Sequence, residues 1–258
     1  MGYKTIIMCI FNKETQAGAT KILVAHRGLR RWMAYQMKVT SPEKSMLLLP
    51  QPTDAIKFHD TTAYAEFLDL LAIQVGEKEV ENTRSTKSKS FTQVGAYQMA
   101  DVEPENLIEF LLHHEQTVPS WLPKMIRLYK DFSWLCVEIP AGFDMKSQPI
   151  LIEYEQNQLT DKLFLNMMEI HGEEKIEETA DRDHVVIFAN ELITEKSGGF
   201  RTEIPNFPWD WGYIGTTIKS VPNKRFKNGD LWVDIREDKN YPEEPGYTMN
   251  FKNWMLPV

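Results

Sequence analysis

The sequence predicts an α+β fold: a mostly antiparallel sheet, or two packed sheets, with about three helices on one face. Three observations predict it. Short runs rich in Ile, Val, Phe, Tyr and Trp recur along the chain, as strands require. The connections between many of these runs are short, which favours antiparallel neighbours. Three segments instead carry apolar residues at helical spacing.

Tyr3–Phe11 reads as a buried strand halted by Asn12, Lys13 and Glu14, and Lys21–His26 as a second strand after a turn at Gly18. Trp32–Val39 alternates weakly and reads as a third. Met46–Leu49 is a short apolar run closed by Pro50 and Pro52, which places it at an edge or ends it abruptly. Ala55–His59 alternates again. Asp60 or Thr61 can then cap a helix to about Ile73, with Phe67, Leu68 and Leu71 on one face. Phe91–Val102 reads as a strand. Pro104 suits the first turn of a helix whose stripe is Leu107, Ile108, Leu111 and Leu112. Trp121, between two prolines, reads as a staple at the start of a third helix that runs to Lys130. Further strands are expected at Trp134–Ile139, Pro149–Tyr154, Leu163–Ile170 and His184–Ala189, then at Tyr213–Ser220 and Leu231–Glu237.

Residues 76–90 (GEKEVENTRSTKSKS) hold a single apolar residue, Val80. Such a stretch buries too little surface to offset its ordering entropy, so it reads as a mobile loop or linker. The expected organisation is a β-rich half with one helix over 1–75, the loop over 76–90, an α+β half over 91–195 packed on the first, and an irregular Pro- and aromatic-rich segment over 196–258.

The chain has 258 residues with 42% hydrophobic and 26% charged, ordinary values for a globular protein. Its net charge of −8 argues against a general nucleic-acid binder, which needs cations to displace counterions from phosphates. Its two cysteines, Cys9 and Cys136, both lie inside apolar runs and read as buried free thiols. The apolar run Thr5–Phe11 is too short for a secretory signal, and no apolar stretch reaches the ~18 residues of a membrane span, so a cytoplasmic protein is expected.

The sequence lacks a glycine-rich phosphate loop, a G-x-S-x-G elbow, an H-E-x-x-H helix, a C-x-x-C pair and an EF-hand loop. No cofactor is therefore implied, and no catalytic residue is assigned. The best chemical constellation is Glu169-x-His171 followed by Asp181-x-Asp183-His184. If Leu163–Ile170 is one strand, Glu169 and His171 share a side at its end. Asp181 and Asp183 would share a side at the start of the next strand, and the two strand ends would adjoin. Glu169, His171, Asp183 and His184 could then hold Zn or another divalent transition metal for hydrolytic chemistry. Against this stands the plain reading that polar residues collect in solvated turns. The acidic run over 172–183 likewise reads as a solvated connection or a face for a basic partner.

The other notable stretch is Pro205–Tyr213 (PNFPWDWGY). Phe207, Trp209, Trp211 and Tyr213 offer large contact areas at low entropic cost, with Pro208 stiffening the backbone, and Trp254 invites the same reading near the end. These rings either plug the protein's own core or dock on a partner. The expected function is a non-catalytic structural or protein-interaction protein, such as a subunit of a larger assembly. It would bind a protein partner or self-associate, and the metal-dependent hydrolase is the alternative.

The runs SMLLLPQP, VGAYQMADVEPENLIEFL, LYKDFSWLCVEI, QPILIEYE and EIHG…DRDH resemble, in order, a family of uncharacterised proteins of bacteria and large DNA viruses. The resemblance spans residues 46–190. It implies a shared fold over that span and carries no activity with it. The family often has His where this chain has Glu169. For a virus-encoded chain, the lack of a signal or membrane span would make the expected compartment the host cytoplasm or the virion.

Overall fold

The computed structural model describes residues 10–27, 29–74, 92–146, 148–156, 162–166, 168–172, 176, 179–181, 185–190, 215–219, 225–227, 230–234 and 252–254. In chain order come β1 (Ile10–Phe11), β2 (Gln16–Arg27), β3 (Arg30–Ser41), β4 (Ser45–Gln51) and β5 (Ile56–His59). A 3-10 turn (Thr62–Tyr64) leads into α1 (Phe67–Gln74). Then come β6 (Thr92–Val94), β7 (Tyr97–Val102), a 3-10 turn (Pro104–Asn106), α2 (Leu107–His113) and α3 (Leu122–Leu128). They are followed by β8 (Ser133–Ile139), β9 (Phe143–Lys146), β10 (Ile150–Glu155), β11 (Lys162–Leu165), β12 (Ile170–His171), β13 (Thr179–Asp181) and β14 (Val185–Asn190). The last are β15 (Gly215–Lys219), β16 (Arg225–Lys227), β17 (Asp230–Asp234) and β18 (Lys252–Trp254).

Two sheets carry the fold. One has six strands in the order β12-β1-β4-β8-β7-β6. The other has seven, β15-β14-β2-β3-β10-β5, with β9 also on β3. Strands from either side of residues 76–90 interleave in both. Pairing is antiparallel except for β1 with β12 and β2 with β14, which are parallel. The architecture is thus the α+β, mostly antiparallel arrangement that the sequence predicts.

Alternation along the strands explains how the layers stack. Ile22, Val24, Met33, Tyr35, Ile150 and Ile152 of one sheet pack with Leu47, Leu49, Leu135, Val137 and Met99 of the other, forming the core between the sheets. The opposite faces are also covered. Leu23, Ala25, Ala34 and Leu151 lie under Phe67, Leu68 and Leu71 of α1. Met46, Leu48, Trp134 and Cys136 lie with Leu107 and Leu111 of α2 and Leu122 and Met125 of α3. The three helices therefore divide between the two outer faces rather than sharing one. Double-sided burial is also why β4 and β8 read as continuous apolar runs and not as alternating ones.

A β-bulge sets the register of β2. Gly18 pairs with Lys38 and Lys21 with Gln36, so Ala19 and Thr20 together oppose a single residue of β3, and Ala19 takes a positive φ of 50°. The bulge reverses the parity of the strand, which puts both Ala17 and Ile22 in the core between the sheets. The sequence reading started a strand after a turn at Gly18; the structure runs one strand through a bulge.

β4 departs from its expected edge position, because it lies between β1 and β8. Met46 bonds to Asn12 through both its N–H and its C=O, so even-numbered backbone groups of β4 point toward β1. Among the described residues, β1 pairs with β4 at Leu47. The nitrogen of Pro50, which has no proton to donate, therefore points away from β8, and the β4–β8 ladder loses no donor there.

Asn12 is fully buried where β1 ends. Its Nδ2 donates to the Thr117 carbonyl (3.0 Å) and to Gln116 Oε1 (3.1 Å), and its Oδ1 accepts from Met46 N (2.7 Å). It ties the sheet to the connection between α2 and α3. Trp121 is 6% exposed at the start of α3, and its Nε1 donates to the Gly172 carbonyl at 2.7 Å. On the other outer face, Lys21 Nζ meets Asp69 Oδ1 at 2.8 Å, locking α1 onto β2. Cys136 is a free, buried thiol. Cys9 lies outside the described residues.

Among the described residues, no helix is long and apolar enough to cross a membrane.

Candidate functional site: an acidic groove beside the second helix

The chain leaves β7 at Val102, and Glu103 is extended (φ −65°, ψ 146°). Pro104 then starts the 3-10 turn, where its fixed φ and missing N–H cost nothing. The turn feeds α2 with Leu107 and Leu111 down against the sheet. That orientation leaves Asn106, Glu109, Phe110 and His113 together on another side of the helix, at the spacing of successive turns. Between this side, the end of β7, Ser133 of β8 and Asp54 lies an open groove of about 690 Å³.

Its described lining holds four carboxylates, Asp54, Asp101, Glu103 and Glu109, and no Lys or Arg. Ala100, Val102 and Phe110 supply the apolar part. Asp101 is held structurally. Its Oδ1 accepts a hydrogen bond from Ser133 Oγ, and its Oδ2 accepts from Ile56 N at 2.7 Å. Burial pushes the pKa of Asp101 above the usual carboxylate value, while these two hydrogen bonds pull the other way. Glu103 accepts from Asn106 Nδ2 at 3.2 Å.

Two histidines end the helix. The rings of His113 and His114 meet edge-on with centroids 5.1 Å apart, and His114 also lies 4.5 Å from Phe110. Burial holds the pKa of His114 below its ordinary value, helped by His113 and Lys44 and opposed by Glu138.

In such a groove the carboxylates create a local negative potential over low-dielectric walls. The arrangement suits a cation on an apolar stem, the chemistry of a Lys or Arg side chain. The sequence reading missed it. Asp101, Glu103, Glu105 and Glu109 around Pro104 were visible as acidic residues, but Asp54 and Ser133 reach the groove only through folding.

The residues singled out from sequence fall as follows. Glu169 is 6% exposed, just before β12. His171 ends β12, in register with Phe11 of β1. Gly172 follows with φ +66° and donates its N–H to the Phe11 carbonyl at 3.0 Å. The expected strand Leu163–Ile170 is two strands. β11 pairs with β17 in a three-stranded sheet, whereas β12 pairs with β1. Asp181 does not open the strand that follows. It ends β13, in register with Arg225 of β16, and the next strand, β14, begins at Val185 on β2. The two strand ends thus belong to different sheets. The cause is tertiary: β1 and β2 are successive strands of opposite sheets, and each takes up one of them. Asp183 and His184 lie outside the described residues. Among the described residues, no group of three or more His, Cys, Asp or Glu side chains gathers to hold a metal.

Phe207, Trp209, Trp211 and Tyr213 also lie outside the described residues. Trp254 ends β18, in register with Asp230 of β17. The expected strands over 213–220 and 231–237 correspond to β15 and β17.

No family model matches the chain, and no curated protein matches it. Among solved structures, the chain is similar to the crystal structure of baculovirus P35, with a TM-score of 0.46 and 12% identity. The match covers 88% of this chain and 91% of that one.

Proposed function

We propose that this chain is a non-catalytic protein-interaction protein that docks a cationic segment of a protein partner in the groove beside α2. The groove's lining carries the reading: four carboxylates and an apolar floor, with no Lys or Arg among the described residues. Opposite potential steers a basic partner to such a surface and sets its orientation, and the floor provides area for the alkyl stems. A net charge of −8 points the same way and away from nucleic acid. The aromatic residues Phe207, Trp209, Trp211, Tyr213 and Trp254 would supply a second contact surface, for the same partner or for another copy of the chain.

The test is a fluorescence-anisotropy titration with a labelled Lys-Leu-Lys-Leu-Lys peptide and its Glu-Leu-Glu-Leu-Glu counterpart, at low and high salt. The basic peptide should bind, the acidic one should not, and salt should weaken binding. The double variant Glu103→Lys, Glu109→Lys should weaken it by about tenfold or more, because both residues are exposed at the groove. Equal binding of both peptides, or of the double variant, would refute the reading.

A further inference from the structure

At one end of the core between the sheets, the apolar packing gives way to polar side chains. On the seven-stranded sheet, Ile56, Tyr154, Arg31 and His26 are consecutive register partners across β5, β10, β3 and β2. Tyr154, Arg31 and His26 are 3%, 1% and 8% exposed. On the six-stranded sheet, Gln51 ends β4 directly opposite Ser133 of β8. Gln51 has the parity of Leu47 and Leu49, so it too points between the sheets. The hydrogen bond from Ile56 N to Asp101 Oδ2, together with that from Ser133 to Asp101, joins the two sheets at this level.

Gln51 is 0% exposed, and neither Nε2 nor Oε1 has a hydrogen-bond partner among the described residues. An amide carries two donors and two acceptor lone pairs. Buried polar groups in folded proteins are almost always satisfied, by protein or by ordered water. Replacing Gln51 by an apolar residue would satisfy the core without any partner, so its presence calls for one.

We infer that the end of the core between the sheets holds internal water on the Gln51 amide. Water is the ligand this chemistry selects, because it both donates and accepts and is small enough for a packed interior. The neighbours are polar enough to complete its bonding. Ser133 stands opposite Gln51 and also lines the acidic groove.

Two measurements test it. In a high-resolution crystal structure of the full chain, ordered water should lie within hydrogen-bond distance of Gln51 Nε2 or Oε1. The side-chain amide should also show nuclear Overhauser contacts to long-lived water. A dry amide, or one bonded only to protein groups, would overturn the inference. The nearly isosteric Gln51→Met separates the two cases by stability. If the amide is hydrated, the variant loses those bonds and its Tm stays level or falls. A rise in Tm of several degrees would mean that a dry, unsatisfied amide had been removed, and the inference would fail.

Discussion

Replacing Asn12 by Ala should destabilise the protein by about 3–4 kcal/mol. The side chain is fully buried and makes three hydrogen bonds, to Met46 N at 2.7 Å, to the Thr117 carbonyl at 3.0 Å and to Gln116 Oε1 at 3.1 Å. Each is worth about 1 kcal/mol net, and the buried Met46 N–H left without its acceptor adds to the loss. Against a typical total of about 5–15 kcal/mol, that is a large fraction. Urea unfolding followed by tryptophan fluorescence would read it as a lower midpoint at unchanged slope. Asn12→Asp sharpens the test. Its carboxylate can still accept from Met46 N, but its second oxygen would face the Thr117 carbonyl, where the amide donated. Protonation restores a donor, so the folded state raises this carboxyl's pKa and binds the proton more tightly than the unfolded chain does. The deficit of Asn12→Asp against wild type should therefore be largest near pH 7 and shrink as pH falls toward about 4. A loss below about 1 kcal/mol for Asn12→Ala, or a deficit for Asn12→Asp that grows on acidification, would refute the assigned role.

Burial, helped by Arg31, lowers the pKa of His26 from 6.5 to about 4. The unfolded chain then binds the proton more readily, so stability should fall as pH drops from about 6.5 to about 4, by about 3 kcal/mol at most. His26→Gln should flatten that slope in urea midpoints measured across the range. Gly172→Ala should lower the urea midpoint by more than about 1 kcal/mol in stability: its φ is +66°, and a Cβ would stand 2.7 Å from Glu14 N and 2.9 Å from Lys13 C. Lys21→Met should destabilise by about 1–3 kcal/mol by leaving Asp69 without its ion-pair partner at 2.8 Å. Adding Asp69→Leu should recover most of that loss in a double-mutant cycle, because the second charge then leaves the interface as well.

Local pattern was enough for element type. The apolar runs Lys21–His26, Trp32–Val39 and Trp134–Ile139 are all strands, and Pro104 does open the turn into α2. These features depend on neighbours in sequence, through propensity, punctuation and the period of side-chain direction. What runs between distant segments was not readable. Pro50 looks like a strand terminator until its nitrogen is seen to point away from β8. Leu112 looks buried by its spacing, yet it is 61% exposed, whereas Leu107 and Leu111 are buried in the core beneath α2 and Ile108 packs against it.

By itself, then, the sequence determined the class of fold, the strand-dominated core, the buried thiol at Cys136 and an acidic overall charge. Tertiary structure alone decided that the helices split between two outer faces, that residues 170–171 and 185–190 enter different sheets, and that Asp54, Asp101, Glu109 and Ser133 share one groove. The reason is physical. Propensity and periodicity act over a few residues, whereas a groove or a ligand set is a meeting of segments brought together by whichever pairing buries both faces of each sheet.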